Sequence, residues 1–546
     1  MAEVDNGALV FHIDIFILAA IGLFALLALP RIIGRLQGFR DGFVFRSSWQ
    51  ENALPRPSYD SEATRVAPVQ EKQVQGAASP PAHVPEWTTY AHGLSIILRY
   101  PIAPRLSLGQ VLLMVGYFTL LLYAELYRAS AFKHPIRAGF VAMSQIPLVY
   151  ALATKNNAIG LVVGKSYEKL NFLHQWTGTL LVLAANVHAI GYVYKWVYAG
   201  IWTKQAEMAY ILWGIVALVC LDILFFFSTS IWRLRAYNIF YVSHVIAFIV
   251  FLVAVPLHQK DTTPYVAIAA GLLGLTKLEI PHINAGWRAG QHVRIRVLSR
   301  QMGWFGWTEM HPYTIASASH GPEGLVVFAK KSGRWSRNLY RIADGSTGEM
   351  EGFKGGRLVR VMLEGPYGGT GHCVPASFAG ALLVGGGSGI TFPLSVVDDL
   401  LRRGAEGSSR IQVLHLVWVV ADSACLKPFI SHFTTLLNCS TLKSFHVSVH
   451  YTGIRANIPE PPSSGELPDG LSLVPGRPNF VDILDHVVNE TIQAQAEGNT
   501  TRTGVLVGVC GPVGLGQSVA RVVGKVDPKR RKEVGGVELH EEAFGW

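Results

Sequence analysis

Four histidines are the most chemically pointed residues of this chain. His174 and His188 are separated by thirteen residues within the apolar stretch Asn171 to Trp196, and His244 and His258 by thirteen within Asn238 to His258. On an α-helix fourteen positions advance the chain by about 21 Å and leave the two side chains roughly 40° apart around the axis. Both histidines of each helix therefore face one way, at two depths. Ionisable residues inside a spanning helix are costly and look into a bundle, towards a partner or a pathway. Two parallel helices of this kind would clamp two planar cofactors, one above the other, each iron taking one imidazole from each helix. The bland alternative is four histidines that only hydrogen-bond between helices, which the repeated spacing disfavours. Zinc is excluded as a shared ligand, because pairs about 21 Å apart cannot meet one ion. Bis-imidazole haem fits. The absence of Cys-x-x-Cys-His makes such haems b-type and non-covalent.

A second chemical signal is GGGSGIT, Gly385 to Thr391, where a β-like run meets a helical one. Glycines let a backbone approach a pyrophosphate, and a helix N-terminus stabilises its charge. Tight packing after a strand is the alternative.

The elements that must carry these groups are written in the composition. Half of the 546 residues are hydrophobic and 15% are charged, so an integral membrane protein is the natural class. The net charge of +10 does not indicate nucleic acid, since many basic residues flank apolar spans and no basic run is interleaved with aromatics. Cys220, Cys373, Cys425, Cys439 and Cys510 follow no pairing or metal-ligand pattern, which points to reduced thiols. Sequons at Asn438, Asn489 and Asn499 are chance matches if the polar half is cytosolic.

Apolar spans are expected at Phe11 to Leu29, Leu108 to Leu126, Ala138 to Ala153, Asn171 to Tyr194, Met208 to Phe227 and Asn238 to Leu257. The first has Glu3 and Asp5 before it and Arg31, Arg35, Arg40 and Arg46 after it, which places the N-terminus outside and reads as a retained anchor. One span separates the two histidine helices, so they run parallel, with His174 level with His244 on the cytosolic side and His188 level with His258. Arg233 and Arg235, Lys165 and Lys169 agree with that orientation; Arg128, Lys133 and Arg137 oppose it. A seventh crossing is needed after His258, but Tyr265 to Leu275 offers eleven residues where about 20 are required.

From Lys277 onwards, HVRIRVL, GLVVFAK and RLVRVML alternate with glycine-rich turns, as in a small antiparallel barrel reaching about Gly371. From Ala381 the order becomes strand, glycine loop, helix, strand, through RIQVLHLVWVV, FHVSVHY and TGVLVGVCGP, which indicates a parallel nucleotide-binding α/β domain.

Taken together, the paired histidine helices, HPYTIAS (His311 to Ser317), LEGPYG (Leu363 to Gly368), GGGSGIT, CGP (Cys510 to Pro512) and the final FGW (Phe544 to Trp546) occur in an order that resembles the fungal ferric reductase family, related to the NADPH oxidases, over roughly Leu108 to Trp546. The resemblance implies a multidomain membrane protein: an α-helical transmembrane bundle of six or seven helices binding two haems, an antiparallel β-barrel FAD domain and a Rossmann-like α/β NAD(P)-binding domain. The expected divisions are an anchor at 1–46, a polar, largely disordered linker at 47–106, the haem-binding domain at 107–276, the FAD domain at 277–372 and the NAD(P)H domain at 373–546.

The same resemblance implies that His174, His188, His244 and His258 ligate two b haems. Tyr313 would lie against the isoalloxazine, Thr314 near flavin N5 and His311 close to the FAD phosphates, with Pro312 and Ser317 completing the motif. Ser336, in GRWSRNL, would bind the FAD pyrophosphate, although a plain helix-capping serine reads equally well. Gly385, Gly386, Gly387, Gly389 and Thr391 would hold the NADPH pyrophosphate, Cys510, Gly511 and Pro512 would sit at the nicotinamide, and Trp546 would cover the flavin. Thr314, Cys510 and Trp546 are thus the residues expected nearest the reaction.

The implied activity is transmembrane electron transfer from cytosolic NADPH, through FAD and two haems, to ferric or cupric ions or chelates on the opposite face. A superoxide-generating oxidase is one alternative, disfavoured because that family usually shortens the second histidine spacing by one residue. A chain inactive for want of its seventh crossing is another. The expected location is the plasma membrane, or else the vacuole, with the dehydrogenase domains cytosolic and a metal permease as a downstream partner. Two departures stand out: Gly271 to Lys277 joins bundle and barrel abruptly, and Ala421 replaces an arginine expected at a 2′-phosphate, for which Lys427 would substitute.

Overall fold

A computed structural model describes residues 5–38, 79–103, 106–128, 134–154, 158–267, 284–303, 306–321, 324–330, 333–344, 359–421, 429–452 and 467–543. The chain divides into two compact units, residues 1–30 with 96–276, and residues 31–95 with 277–545.

Among the described residues six helices are long and apolar enough to cross a membrane. They are α1 (Asn6–Gly38), α2 (Leu108–Leu126), α3 (Ile136–Ala153), α4 (Tyr167–Tyr198), α5 (Ala209–Phe227) and α6 (Tyr237–His258). Without water to take up backbone polar groups, a spanning segment must satisfy them internally, and the helix is the form that does so. A capping box starts α2: the Gln110 amide donates to Ser107 Oγ and the Ser107 amide to Gln110 Oε1. In the bundle α3 lies along α4 and α5 along α6, with α4 also touching α5. Ile146 and Tyr150 of α3, Leu181 of α4, Leu221 of α5 and Phe251 of α6 share one apolar core. Large apolar side chains such as Leu112, Leu212 and Ile249 are exposed on the outside, the face that hydrocarbon covers. The expected seventh segment is helical at its start, through Ala267, and the rest of it lies outside the described residues.

In the other unit β1 (Gln291–Val297) is the middle strand of an antiparallel sheet, between β2 (His311–Thr314) and β3 (Val361–Gly368). Among the described residues the run GLVVFAK contributes a single bridge, Ile315 to Val327, to the expected barrel. Helix α7 (Arg334–Asp344) follows β2.

The expected nucleotide-binding domain is, among the described residues, a parallel sheet of six strands. Its strands are β4 (Gly380–Gly386), β5 (Val413–Val420), β6 (Ser444–Tyr451), β7 (Leu471–Pro475), β8 (Val505–Gly511) and β9 (Val537–Ala543), in the spatial order β9-β8-β4-β5-β6-β7. Helices α8 (Thr391–Ala405) and α9 (Ile430–Asn438) cover one face. Helices α10 (Phe480–Glu497) and α11 (Val513–Lys525) cover the other. Burial on both faces explains why β4, β5 and β8 read as nearly unbroken apolar runs. Strands β7 and β9 are too short or too charged to stand out in that way.

The stretch expected as a disordered linker, 47–106, departs from that expectation over its second part. From Ser79 it is ordered: His83 Nδ1 lies 3.0 Å from Ser377 Oγ, Arg410 Nε donates to the Pro81 carbonyl at 3.1 Å, and the Glu86 amide donates to Glu538 Oε1 at 2.7 Å. The residues AHVPEWTTYAHGLSIIL hold apolar side chains enough to pack, and residues 47–78 of the expected linker lie outside the described residues.

The flavin-type sheet is docked onto α8. The Gly290 amide donates to Ser395 Oγ at 2.8 Å and the Ala318 amide to Asp398 Oδ2 at 2.7 Å. Gly290 adopts φ +82, and a Cβ there would lie 2.5 Å from the Phe392 ring. Gly290→Ala is expected to cost about 1–3 kcal/mol through overpacking, read as a lower thermal midpoint for flavin release, while Gly514→Ala, where a Cβ meets nothing within 4 Å, leaves that midpoint in place.

Candidate redox cofactor sites

The four histidines fall on two single helices, His174 and His188 on α4, His244 and His258 on α6. Each has its Nδ1 engaged. His174 Nδ1 lies 3.0 Å from the Val149 carbonyl, His188 Nδ1 2.8 Å from the Pro135 carbonyl and His258 Nδ1 2.7 Å from the Tyr210 carbonyl. His244 Nδ1 lies 2.9 Å from Ser228 Oγ. A carbonyl can only accept, so at least three rings carry their proton on Nδ1 and present Nε2 as a lone pair, the form that ligates a metal. The partners are ordered by helix pair: α4 histidines bond to α3 and the residue preceding it, α6 histidines to residues of α5 and its end.

The His188 and His258 rings are 6.2 Å apart between centroids. Two imidazoles on opposite sides of one iron, at roughly 2 Å for each metal–nitrogen bond, need about that separation. Two glycines make room for them. A Cβ on Gly139 would lie 2.7 Å from His188 Nδ1, and one on Gly214 would lie 2.5 Å from His258 Nδ1. Each glycine stands four residues after the carbonyl its histidine uses, Pro135 and Tyr210, so the two sides of this tier are built alike. The donor set, its tautomers and its spacing fit a bis-imidazole haem.

In the flavin-type domain β2 places HPYT beside β1, with His292 opposite Thr314 and Arg294 opposite Pro312. The His311 ring lies 4.4 Å from the Trp335 ring, tilted 36° to it, and Tyr313 lies 5.9 Å away. Trp335 is buried, its Nε1 donating to the Gly306 carbonyl. Burial pushes the Tyr313 phenol up to about 12. Burial also holds the His311 imidazole below its ordinary value, against the opposing pull of Glu309 at 3.2 Å. Arg294 Nε is buried with no hydrogen-bond partner among the described residues. Thr314 is buried. Ser336 Oγ accepts from the Gly333 amide at the start of α7, and Ser317 Oγ donates to the Gly324 carbonyl and accepts from the Val326 amide. Those two hydroxyls therefore brace local turns.

The glycine loop lies where the strand order reverses, between β4 and its neighbours β5 and β8, the crevice that binds ligands in open α/β sheets. Gly385 and Gly386 end β4, a tight turn runs from Gly387 to Ile390, and Thr391 opens α8. Gly387 and Ser388 are exposed at its tip, and Trp418 Nε1 of β5 donates to the Gly387 carbonyl at 2.9 Å. A Cβ on Gly389 would lie 2.5 Å from the Cys510 carbonyl, so only glycine lets this loop meet the CGP turn. Gly511 and Pro512 stand against Gly386. Cys510 is wholly buried in the core between strand and loop. Trp546 and Lys427 lie outside the described residues, and Ala421 is exposed after β5.

Sequence reasoning missed Gly139, Gly214, Trp335, Trp418 and Arg294. Arg294 had a signal: the alternation of HVRIRVL puts a guanidinium in the middle of a strand. The glycines had none without the fold.

The chain matches three families: ferric reductase like transmembrane component over residues 138–255, FAD-binding domain over 273–371, and ferric reductase NAD binding domain over 378–524. It is similar to ferric/cupric reductase transmembrane component 7 of Saccharomyces cerevisiae, 24% identical over 328 residues, 52% of this chain and 49% of the relative. It is similar to a probable cell surface ferric reductase of Aspergillus oryzae, 24% identical over 370 residues, covering 58% and 48%. A probable metalloreductase of Debaryomyces hansenii is 27% identical over 405 residues, covering 67% and 68%. The chain spans about half the length of the first two.

Gly214→Ala must push His258 off its carbonyl or α5 off α6. Were each histidine pair to hold one haem, the expected result is a fall in bound haem from about two per chain to about one, counted as pyridine haemochrome against protein, with the remaining haem unchanged in spectrum.

Proposed function

We propose that this chain, a membrane protein of the ferric reductase type by its three domains, carries electrons from cytosolic NADPH across the bilayer to ferric or cupric chelates, with FAD and two b haems as its resident groups. The observation that carries this reading is the set of four Nδ1-anchored histidines on α4 and α6. A nicotinamide gives up a two-electron hydride whereas a ferric ion takes one electron, and FAD with haem iron supplies the conversion and the single-electron conduction when bound.

The chain's own residues supply position and insulation. His174 with His244, and His188 with His258, would hold one haem each; donation of Nδ1–H to a carbonyl in His174, His188 and His258 leaves Nε2 as the lone pair and raises its basicity as a ligand. Trp335 braces His311 and Tyr313 from behind, which leaves Tyr313 as a wall for an isoalloxazine ring. Arg294 would meet its anionic groups. The N-terminus of α8 and the exposed tip at Gly387 and Ser388 would take the dinucleotide pyrophosphate. Docking of Gly290 and Ala318 onto Ser395 and Asp398 holds the flavin-type and nucleotide-type sheets in one register.

Both histidine spacings of thirteen favour a reductase over an oxygen-reducing relative. In anaerobic membranes containing the chain, NADPH is expected to bring up the reduced b-haem spectrum and a ferric chelate to abolish it. Haem that dithionite reduces and NADPH does not would contradict the reading, and so would oxygen consumption indifferent to chelated iron.

A further inference from the structure

A cluster of imidazoles lies on the nucleotide-binding domain, towards the N-terminal ends of its strands and therefore at the end of the sheet opposite the glycine loop. His415 of β5 and His446 of β6 are register partners with rings 5.9 Å apart. Their neighbours Leu414, Leu416, Phe445 and Val447 pack on the α8 and α9 face, so by strand alternation the two histidines stand on the face covered by α10. Helix α10 brings His486 and Glu490, one turn apart, to the same place.

The His446 and His486 rings are 6.2 Å apart. One donor atom from each of His446, His486 and Glu490 lies within 4.8 Å of the others. His486 Nε2 is 3.2 Å from Glu490 Oε1, while Glu490 Oε2 accepts from Ser444 Oγ at 2.8 Å, which orients the carboxylate from outside the cluster. A cavity of about 290 Å³ opens beside them, lined by His415, His446, Ser472 and His486. At its wall His415 Nε2 lies 3.0 Å from Ser448 Oγ, and His415 Nδ1 is buried with no hydrogen-bond partner among the described residues. An ion pair between exposed side chains contributes little to stability, and nothing in sheet packing calls for three imidazoles around one hollow.

We propose that His446, His486 and Glu490 form a binding site for a divalent transition-metal ion of the zinc class, with His415 as the wall behind it. Two imidazoles and one carboxylate are the nitrogen and oxygen donors that zinc takes in tetrahedral sites, and three protein ligands leave a position for water. Calcium and magnesium prefer all-oxygen shells and are not the ions this set selects. The ligands sit on a strand and a helix, so the ion would tie β6 to α10. The inference is independent of electron transfer and survives or fails without it.

The test is zinc uptake by the full chain, loaded with haem and FAD, in competition with a chromophoric chelator. The unaltered chain is expected to hold one tightly bound zinc, and His446→Ala and Glu490→Gln each to weaken it by about tenfold or more with haem and flavin spectra unchanged. Equal uptake by the unaltered chain and both variants, or none by any, overturns the proposal. The zinc K-edge spectrum of the unaltered chain decides independently of how the variants fold. Two imidazoles with oxygen ligands support the site, and a sulfur-containing or all-oxygen shell overturns it.

Discussion

An imidazole N–H inside a membrane must have an acceptor, because hydrocarbon offers none. In this bundle three acceptors lie on or beside the neighbouring helix, the Val149 and Pro135 carbonyls for α4 and the Tyr210 carbonyl for α6, and Ser228 Oγ lies 2.9 Å from Nδ1 of the fourth ring, His244. That one requirement organises much else. It accords with the packing of α3 on α4 and α5 on α6, it calls for Gly139 and Gly214 where the rings meet a helix backbone, and in three of the rings it chooses the tautomer that leaves Nε2 unprotonated. Structural bonding and ligand preparation are the same bond.

The other unit meets a different constraint. Its two sheets must hold one register if a flavin and a dinucleotide are to react, and the hydrogen bonds from Gly290 and Ala318 to α8 provide it. The helix whose N-terminus we propose for a pyrophosphate is thus also the one that carries the flavin-type sheet. Gly389 closes the loop on Cys510, where a Cβ would meet the Cys510 carbonyl.

Much of this was legible beforehand because each signal was periodic or punctuated. The six apolar spans were long enough to be read from hydropathy alone, and the histidine spacing gave two depths on one helix face. GGGSGIT lies between a strand and a helix, as expected, and the fold brings it against CGP where the strand order reverses. What stayed hidden depends on tertiary approach: Gly139 and Gly214 look like any helix glycine until a histidine from the next helix is beside them, and His415, His446 and His486 are far apart in sequence. Ser317 and Ser336 were expected at a cofactor, and their hydroxyls bond to nearby turns. The linker was misjudged from Ser79 onwards because its average composition concealed an apolar second part.

The most direct test of the account is the low-temperature electron paramagnetic resonance spectrum of the oxidised, haem-loaded chain. With all four histidines as Nε2 ligands, both irons have two imidazoles and only low-spin ferric signals appear. A high-spin signal amounting to one haem per chain would show a tier with an open coordination position, and would contradict the pairing of α4 with α6 on which the account rests.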